Sequence, residues 1–246
     1  MKNSFLFFFL SVFLVSCQIT ERVYLQENGG VKYETEFDFS QMSGFIFPEN
    51  KRDSLRQIGE FPVDTLMTIA DLENYSELGN DSISDAEREF MQSLDKMRVR
   101  MKMDETQALM SIGLEEKDVK SFNAYLKKVQ ESSDKLVKED PEAAKNLAQS
   151  GLLKTMEIKY DGKKFQRIAG EVDQLFGEKD DSVSMAAQEM MGMFEYKLEY
   201  HFPKRIKSSN IENATYSLDG KTMTVEVPMS ELMENPEKYN FTVEFE

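Results

Sequence analysis

Proton transfer and nucleophilic attack at neutral pH rest mostly on His, Cys and paired carboxylates. This chain of 246 residues has one His, one Cys and 45 Asp and Glu. His201, in Tyr200-His201-Phe202-Pro203, would need a carboxylate to orient it and a nucleophile to serve. There is no GxSxG elbow, so His201 reads as a structural or surface residue. The acids leave room for a carboxylate-based hydrolase such as a glycosidase, with two acids brought together from distant parts of the chain, but the sequence singles out no pair. Met185, Met190, Met191 and Met193 could hold a soft copper ion, yet thioethers at this density more commonly fill cores and adaptable grooves. Asp180-Asp181, Asp71 with Glu73, and Asp81 with Asp85 lack the twelve-residue spacing and central Gly of a calcium loop, and read as solvated surface. Lys163-Lys164 reads as a hairpin surface, and neither a P-loop nor GxGxxG is present. No catalytic, cofactor-binding or metal-ligating residue is therefore assigned, and no cofactor is expected.

The charge balance narrows the partners. Thirty Lys and Arg against 45 acids give a formal charge of −15. A surface of that sign cannot release counterions from a phosphate backbone, so nucleic acid is not expected as a partner. Hydrophobic residues make up 40% of the chain, enough for one substantial core.

The amino terminus reads as an address. Lys2 precedes an apolar run from Phe5 to Val15, broken only by Ser11 and shorter than the roughly 20 residues of a spanning helix, which describes a secretory signal peptide over residues 1–16. Its end, Leu14-Val15-Ser16-Cys17, resembles the lipobox of bacterial lipoproteins. That resemblance implies cleavage before Cys17, diacylation of the Cys17 thiol with palmitate-type chains, and acylation of the new amino group. The lipid bilayer is then a partner through acylated Cys17, because two or three chains hold a protein stably where one does not. Gln18 stands where inner-membrane retention would place Asp, so a lipid-anchored place in the cell envelope, at the outer membrane, is expected.

Residues 17–246 should form a single domain. Strand patterns at Ile19 to Leu25 and Val31 to Phe39 flank Glu27-Asn28-Gly29-Gly30, a turn with the positive-φ residues a tight hairpin needs. The pattern weakens from Ser40 to Asn80, which reads as loops with short helical pieces. Ser84-Asp85-Ala86-Glu87 is a capping box, followed by a strand of alternating residues from Met97 to Met103. The stripe Val119, Phe122, Leu126, Val129 and Leu136 predicts a long surface helix over Glu115 to Val137. Pro141 opens a shorter helix ending near Gly151, so the segment at about 84–150 is helix-rich. Asp161-Gly162 sits in a second hairpin, between Leu152 to Tyr160 and Lys163 to Ile168, and Asp181-Ser182 caps a Met-rich helix reaching Phe194. Strands follow at Glu195 to Phe202, Ala214 to Leu218, Thr222 to Val227 and Phe241 to Phe245. The expected fold class is α+β: an antiparallel sheet from N- and C-terminal hairpins with a helical middle insertion.

Two further resemblances bear on function. Asp53-Ser54-Leu55, Asp64-Thr65-Leu66, Asp81-Ser82-Ile83 and Asp181-Ser182-Val183 resemble the Asp-Ser/Thr-apolar acceptor of O-glycosylation in Bacteroides-like bacteria, which makes Ser54, Thr65, Ser82 and Ser182 candidate acceptors. Asp-Ser is equally ordinary helix-cap chemistry. The hairpin after Cys17, the run Phe202-Pro203-Lys204-Arg205-Ile206-Lys207-Ser208-Ser209-Asn210 and the Ala214 to Val227 hairpin look like those of a group of small Bacteroides-like lipoproteins, and are distantly similar to the LppM-type lipoprotein domain. The resemblance covers the two β ends and carries no catalytic residue. It implies a membrane-anchored envelope lipoprotein with a binding or structural role toward an envelope protein, glycan or lipid.

Overall fold

The computed structural model describes residues 17–69, 71, 84–144, 156–170 and 194–246. The Met-rich helix expected after Asp181 and the acceptors Ser82 and Ser182 lie outside them.

Strand β1 (Cys17–Leu25) turns into β2 (Val31–Asp38) through the expected Asn-Gly-Gly loop, where Gly29 takes φ +86° and the Gln26 amide donates to the Gly30 carbonyl at 2.8 Å. A short 3-10 turn, α1 (Ser43–Ile46) and α2 (Glu49–Gln57) lead to β3 (Val63–Thr68). The helix α3 (Asp85–Ser93) starts at Ser84, whose hydroxyl accepts from the Glu87 amide at 3.2 Å as the capping box requires. Then come β4 (Arg98–Met103), β5 (Ala108–Glu116) and the 21-residue helix α4 (Val119–Glu139), capped by Asp118. The predicted helix start at Glu115 is corrected: residues 115 and 116 close β5. Residues 141–144 are helical, as Pro141 suggests. The remaining strands are β6 (Met156–Tyr160), β7 (Lys164–Ala169), β8 (Phe194–His201), β9 (Ile206–Ser209), β10 (Thr215–Tyr216), β11 (Thr222–Pro228) and β12 (Phe241–Phe245), with a short helix α5 (Met229–Glu234) before the last.

These form an α+β fold with two sheets, ordered β10-β11-β8-β1-β2-β5-β4-β3 and β6-β7-β12-β9. The larger sheet is mixed where a wholly antiparallel one is expected, because β1 and β8 run parallel from Cys17 beside Phe194 to Tyr24 beside His201. A hairpin cannot make that pairing. β8 returns to β1 after a long excursion through the helices and the second sheet, and so is free to enter from the same end. Two strands, β3 and β5, extend this sheet from a region expected to be loop and helix.

One face of the larger sheet carries the core. Phe90 of α3, Leu94 at its C-terminal cap, and Phe122, Leu126, Val129 and Leu136 of α4 are buried, which is the predicted helical stripe put to use. The smaller sheet packs through aromatic edges: Phe165 lies 5.7 Å from Tyr200 and 5.2 Å from Phe202, and Tyr200 lies 5.0 Å from Phe241, all in tilted or edge-on pairs.

The Asn123 side chain hydrogen-bonds α4 to the second sheet. β6 is an edge strand, and an edge strand leaves backbone groups without ladder partners. Asn123 reaches across from α4, donating to the Ile158 carbonyl at 2.7 Å and accepting from the Ile158 amide at 3.1 Å. Ile158 is fully buried, so water cannot substitute. Asn123→Ala should therefore lower stability by about 1–3 kcal/mol, the cost of leaving buried backbone groups unpaired. A shift of the urea midpoint with unchanged slope would show it.

Candidate functional site

Three arrangements could carry chemistry: a buried charge cluster between the sheets, the polar face of the larger sheet, and the start of β1.

The buried cluster is built by β1, β7 and β8. Glu21 shares the face of Ile19, Val23 and Leu25, and Arg167 shares that of Phe165, so strand alternation turns both charges inward. They are 4% and 5% exposed. Arg167 grips the carboxylate at two points, Nε to Oε1 at 3.2 Å and Nη2 to Oε2 at 3.3 Å. Tyr196 donates to Oε2 at 3.0 Å, and Tyr200 donates a short hydrogen bond to Oε1. Tyr200 also accepts from Arg167 Nε at 2.8 Å, and Arg167 Nη1 reaches the Tyr239 carbonyl at 3.3 Å. Burial alone would push the Glu21 carboxyl up, but the Arg167 charge and the hydrogen bonds outweigh it and hold the group below its ordinary value of 4.5. Burial and the Glu21 charge drive both tyrosines well above 10.

Every group here is committed to another protein group. No buried side-chain nitrogen or oxygen among the described residues is unpartnered, so the cluster offers a ligand nothing to bind. Its chemistry is cohesive: it clamps β1 of one sheet to β7 of the other. Its signal in the sequence, not weighed above, is the position of Glu21 on the apolar face of its strand.

The opposite face of the larger sheet is polar. Arg22 lies within 3.0 Å of Glu36, and within 3.5 Å of both Glu34 and Glu199. His201 stacks on Tyr24 with ring centroids 4.3 Å apart, its Nε2 lies 2.8 Å from Glu199 and its Nδ1 lies 3.1 Å from the Thr222 hydroxyl. A hydroxyl, an imidazole and a carboxylate in a row match the roles of a nucleophilic triad. Sheet geometry accounts for them without catalysis, because Thr222 is the cross-strand partner of His201 and Glu199 is two residues away on the same face. A triad also needs amide donors aimed at a developing oxyanion, and the Thr222 amide is already committed to the Ser217 hydroxyl at 2.9 Å.

Farther along this face, Lys32, Glu34, Lys96, Arg98, Arg100 and Glu116 are among the residues lining an open groove of about 790 Å³. Its floor dips at Gly113, the cross-strand neighbour of Arg98 and Glu34. The charges are largely paired: Lys96 with Glu116 at 2.5 Å, Arg100 with Asp64 at 3.0 Å, and Lys32 with Glu34 at 3.5 Å. The acid of a two-carboxylate hydrolase must be held above its ordinary pKa. Every carboxylate among the described residues with a displaced pKa moves the other way, including Asp64, paired with Arg100, and Glu199, which His201, Lys197 and Arg22 hold low against its burial. No group of three or more His, Cys, Asp or Glu that could hold a metal ion occurs among the described residues.

Cys17 is the first residue of β1, paired with Phe194 of β8. Ser54 is exposed on α2, where its hydroxyl donates to the Asn50 carbonyl at 2.9 Å, and Thr65 is exposed on the edge strand β3. Neither Ser54 nor Thr65, both exposed, belongs to the buried cluster. No helix among the described residues is long and apolar enough to cross a membrane.

Among solved structures, the chain is similar to the NMR structure of the folded domain of the Mycobacterium tuberculosis LppM protein, with a TM-score of 0.38 and 9% sequence identity over 94% of this chain and 89% of that one. The likeness is distant and nearly full length. No family model matches the chain, and no curated protein does.

Two outcomes are expected of the cluster. Glu21→Ala strands the Arg167 charge in the core and should cost about 3–5 kcal/mol, whereas Glu21→Met combined with Arg167→Met should recover much of that loss, both read by urea denaturation. The second outcome concerns pH. A carboxylate with a lowered folded-state pKa stabilises fully above its unfolded value and ceases to do so as pH falls through the folded one. The wild type should therefore lose stability progressively below pH 4.5, and Glu21→Gln should show a shallower loss in the same acid titration.

Proposed function

We propose that the chain is a membrane-anchored envelope lipoprotein, held by acyl chains on Cys17 after removal of residues 1–16, with a non-enzymatic binding or structural role. The observation that carries this reading is the run Leu14-Val15-Ser16-Cys17 at the end of the apolar stretch from Phe5 to Val15. Every described strand of both sheets lies downstream of that cleavage point. The anchor then joins the folded body with no spacer.

A binding role is supported by the polar sheet face with its groove, an open surface suited to a protein, glycan or lipid headgroup of the envelope. The carboxylate-based hydrolase is the weaker reading, because the displaced acids are held ionised. Glycosylation at Ser54 and Thr65 fits their exposure and would mark the body as exported. The outer membrane is the destination that Gln18 favours.

Fractionation of the native host tests the anchor. Wild-type protein should remain with the membranes after alkaline carbonate extraction and move to the detergent phase, and Cys17→Ala should leave them. Wild-type protein recovered in the soluble fraction would refute the anchor.

A further inference from the structure

The larger sheet has two rims, and they differ in chemistry. At one, β1 and β8 begin side by side at Cys17 and Phe194, while β2 ends at Asp38 opposite Gln18 and runs on into Phe39. Three aromatic rings gather here: Phe37 stacks on Phe39 at 6.2 Å, and Phe39 meets Phe194 edge-on at 6.5 Å. All three are only partly buried, although Phe37 and Phe194 also pack against the core. At the other rim, β8 ends at His201 beside Thr222, and the turn just before Thr222 carries the fully exposed Leu218.

Geometry links the aromatic rim to the anchor. Neighbouring strands lie about 4.8 Å apart, so Phe194 stands one strand spacing from Cys17 and Phe39 close behind it. An acylated Cys17 sits at the headgroup level, and apolar side chains beside an interfacial anchor enter the bilayer by about 5–10 Å. With no spacer between Cys17 and β1, this rim cannot leave the interface while the lipid is inserted. A flexibly tethered body would be free to turn, and its aromatic rim would gain nothing from the membrane.

We infer that the rim formed by Phe37, Phe39 and Phe194 seats in the lipid interface beside the acylated Cys17, fixing the orientation of the body and directing the opposite rim, with Leu218, away from the membrane. This rests on the lipid-anchored reading above. It adds a second membrane contact and a defined orientation.

The chain contains no Trp, so one introduced Trp reports its own surroundings without background. Lipidated Phe39→Trp, Phe194→Trp and Leu218→Trp proteins, each checked for wild-type circular dichroism, would be placed in phosphatidylcholine vesicles with brominated acyl chains. Phe39→Trp and Phe194→Trp should emit at shorter wavelength than Leu218→Trp and be quenched about twofold or more, as expected of side chains that reach the acyl boundary, while Leu218→Trp stays unquenched. Flotation of all three with the vesicles, with equal and slight quenching, would overturn the seated rim and leave the anchor standing. Failure of any to float or to carry acyl mass would overturn the anchor and the rim together.

Discussion

The ion pair between Glu21 and Arg167 is the constraint on which the rest of this structure depends. It joins one of the two central strands of the larger sheet to an inner strand of the other, and the aromatic contacts of Phe165, Tyr200 and Phe241 are arranged around it. A buried ion pair does not stabilise a fold simply by existing, since desolvating two charges costs several kcal/mol for each. Here Tyr196, Tyr200 and the Tyr239 carbonyl take up the remaining hydrogen-bonding capacity, so the charges are satisfied only when β1, β7 and β8 meet in one register. The cluster thus selects one way of packing two sheets that apolar contacts alone would leave freer.

In the proposed reading the same strand carries the point of attachment. Glu21 lies four residues from Cys17, about 13 Å along an extended chain. A force transmitted through the anchor is borne first by β1, which is hydrogen-bonded on both sides and clamped from below. That is a sound arrangement for a body held stiffly at a surface with its polar sheet face presented to a partner. It is a poor arrangement for a domain that must swing on a tether.

Some of this was legible in the residues. Asn28-Gly29-Gly30, Asp161-Gly162 and Asp219-Gly220 announce three turns, and the glycines at 29, 162 and 220 all adopt positive φ. The stripe from Phe122 to Leu136 announces α4. β5 is hidden although Met110, Ile112 and Leu114 alternate with Ser111, Gly113 and Glu115, because its end merges with the start of the helical pattern. β3 is hidden because, as an exposed edge strand, it carries little apolar patterning. The parallel pairing of β1 with β8 has no local signature at all.

The candidate sites divide the same way. The proposed anchor at Cys17 rests on a local signal, the four residues ending at it. The Glu21 cluster is half readable: Glu21 shares a face with Ile19, Val23 and Leu25, but its partner lies 146 residues away. His201 shows the limit from the other side. Its neighbours Glu199 and Thr222 reproduce triad roles, yet they are the residues any strand partner would place there.

Intact-mass spectrometry of the protein taken from its own host's membranes tests lipid anchoring most directly. The expected mass is that of residues 17–246 with a diacylglyceryl group on Cys17, with or without a further acyl chain on the amino group. A mass that retains residues 1–16, or one that begins at Cys17 without lipid, would contradict it.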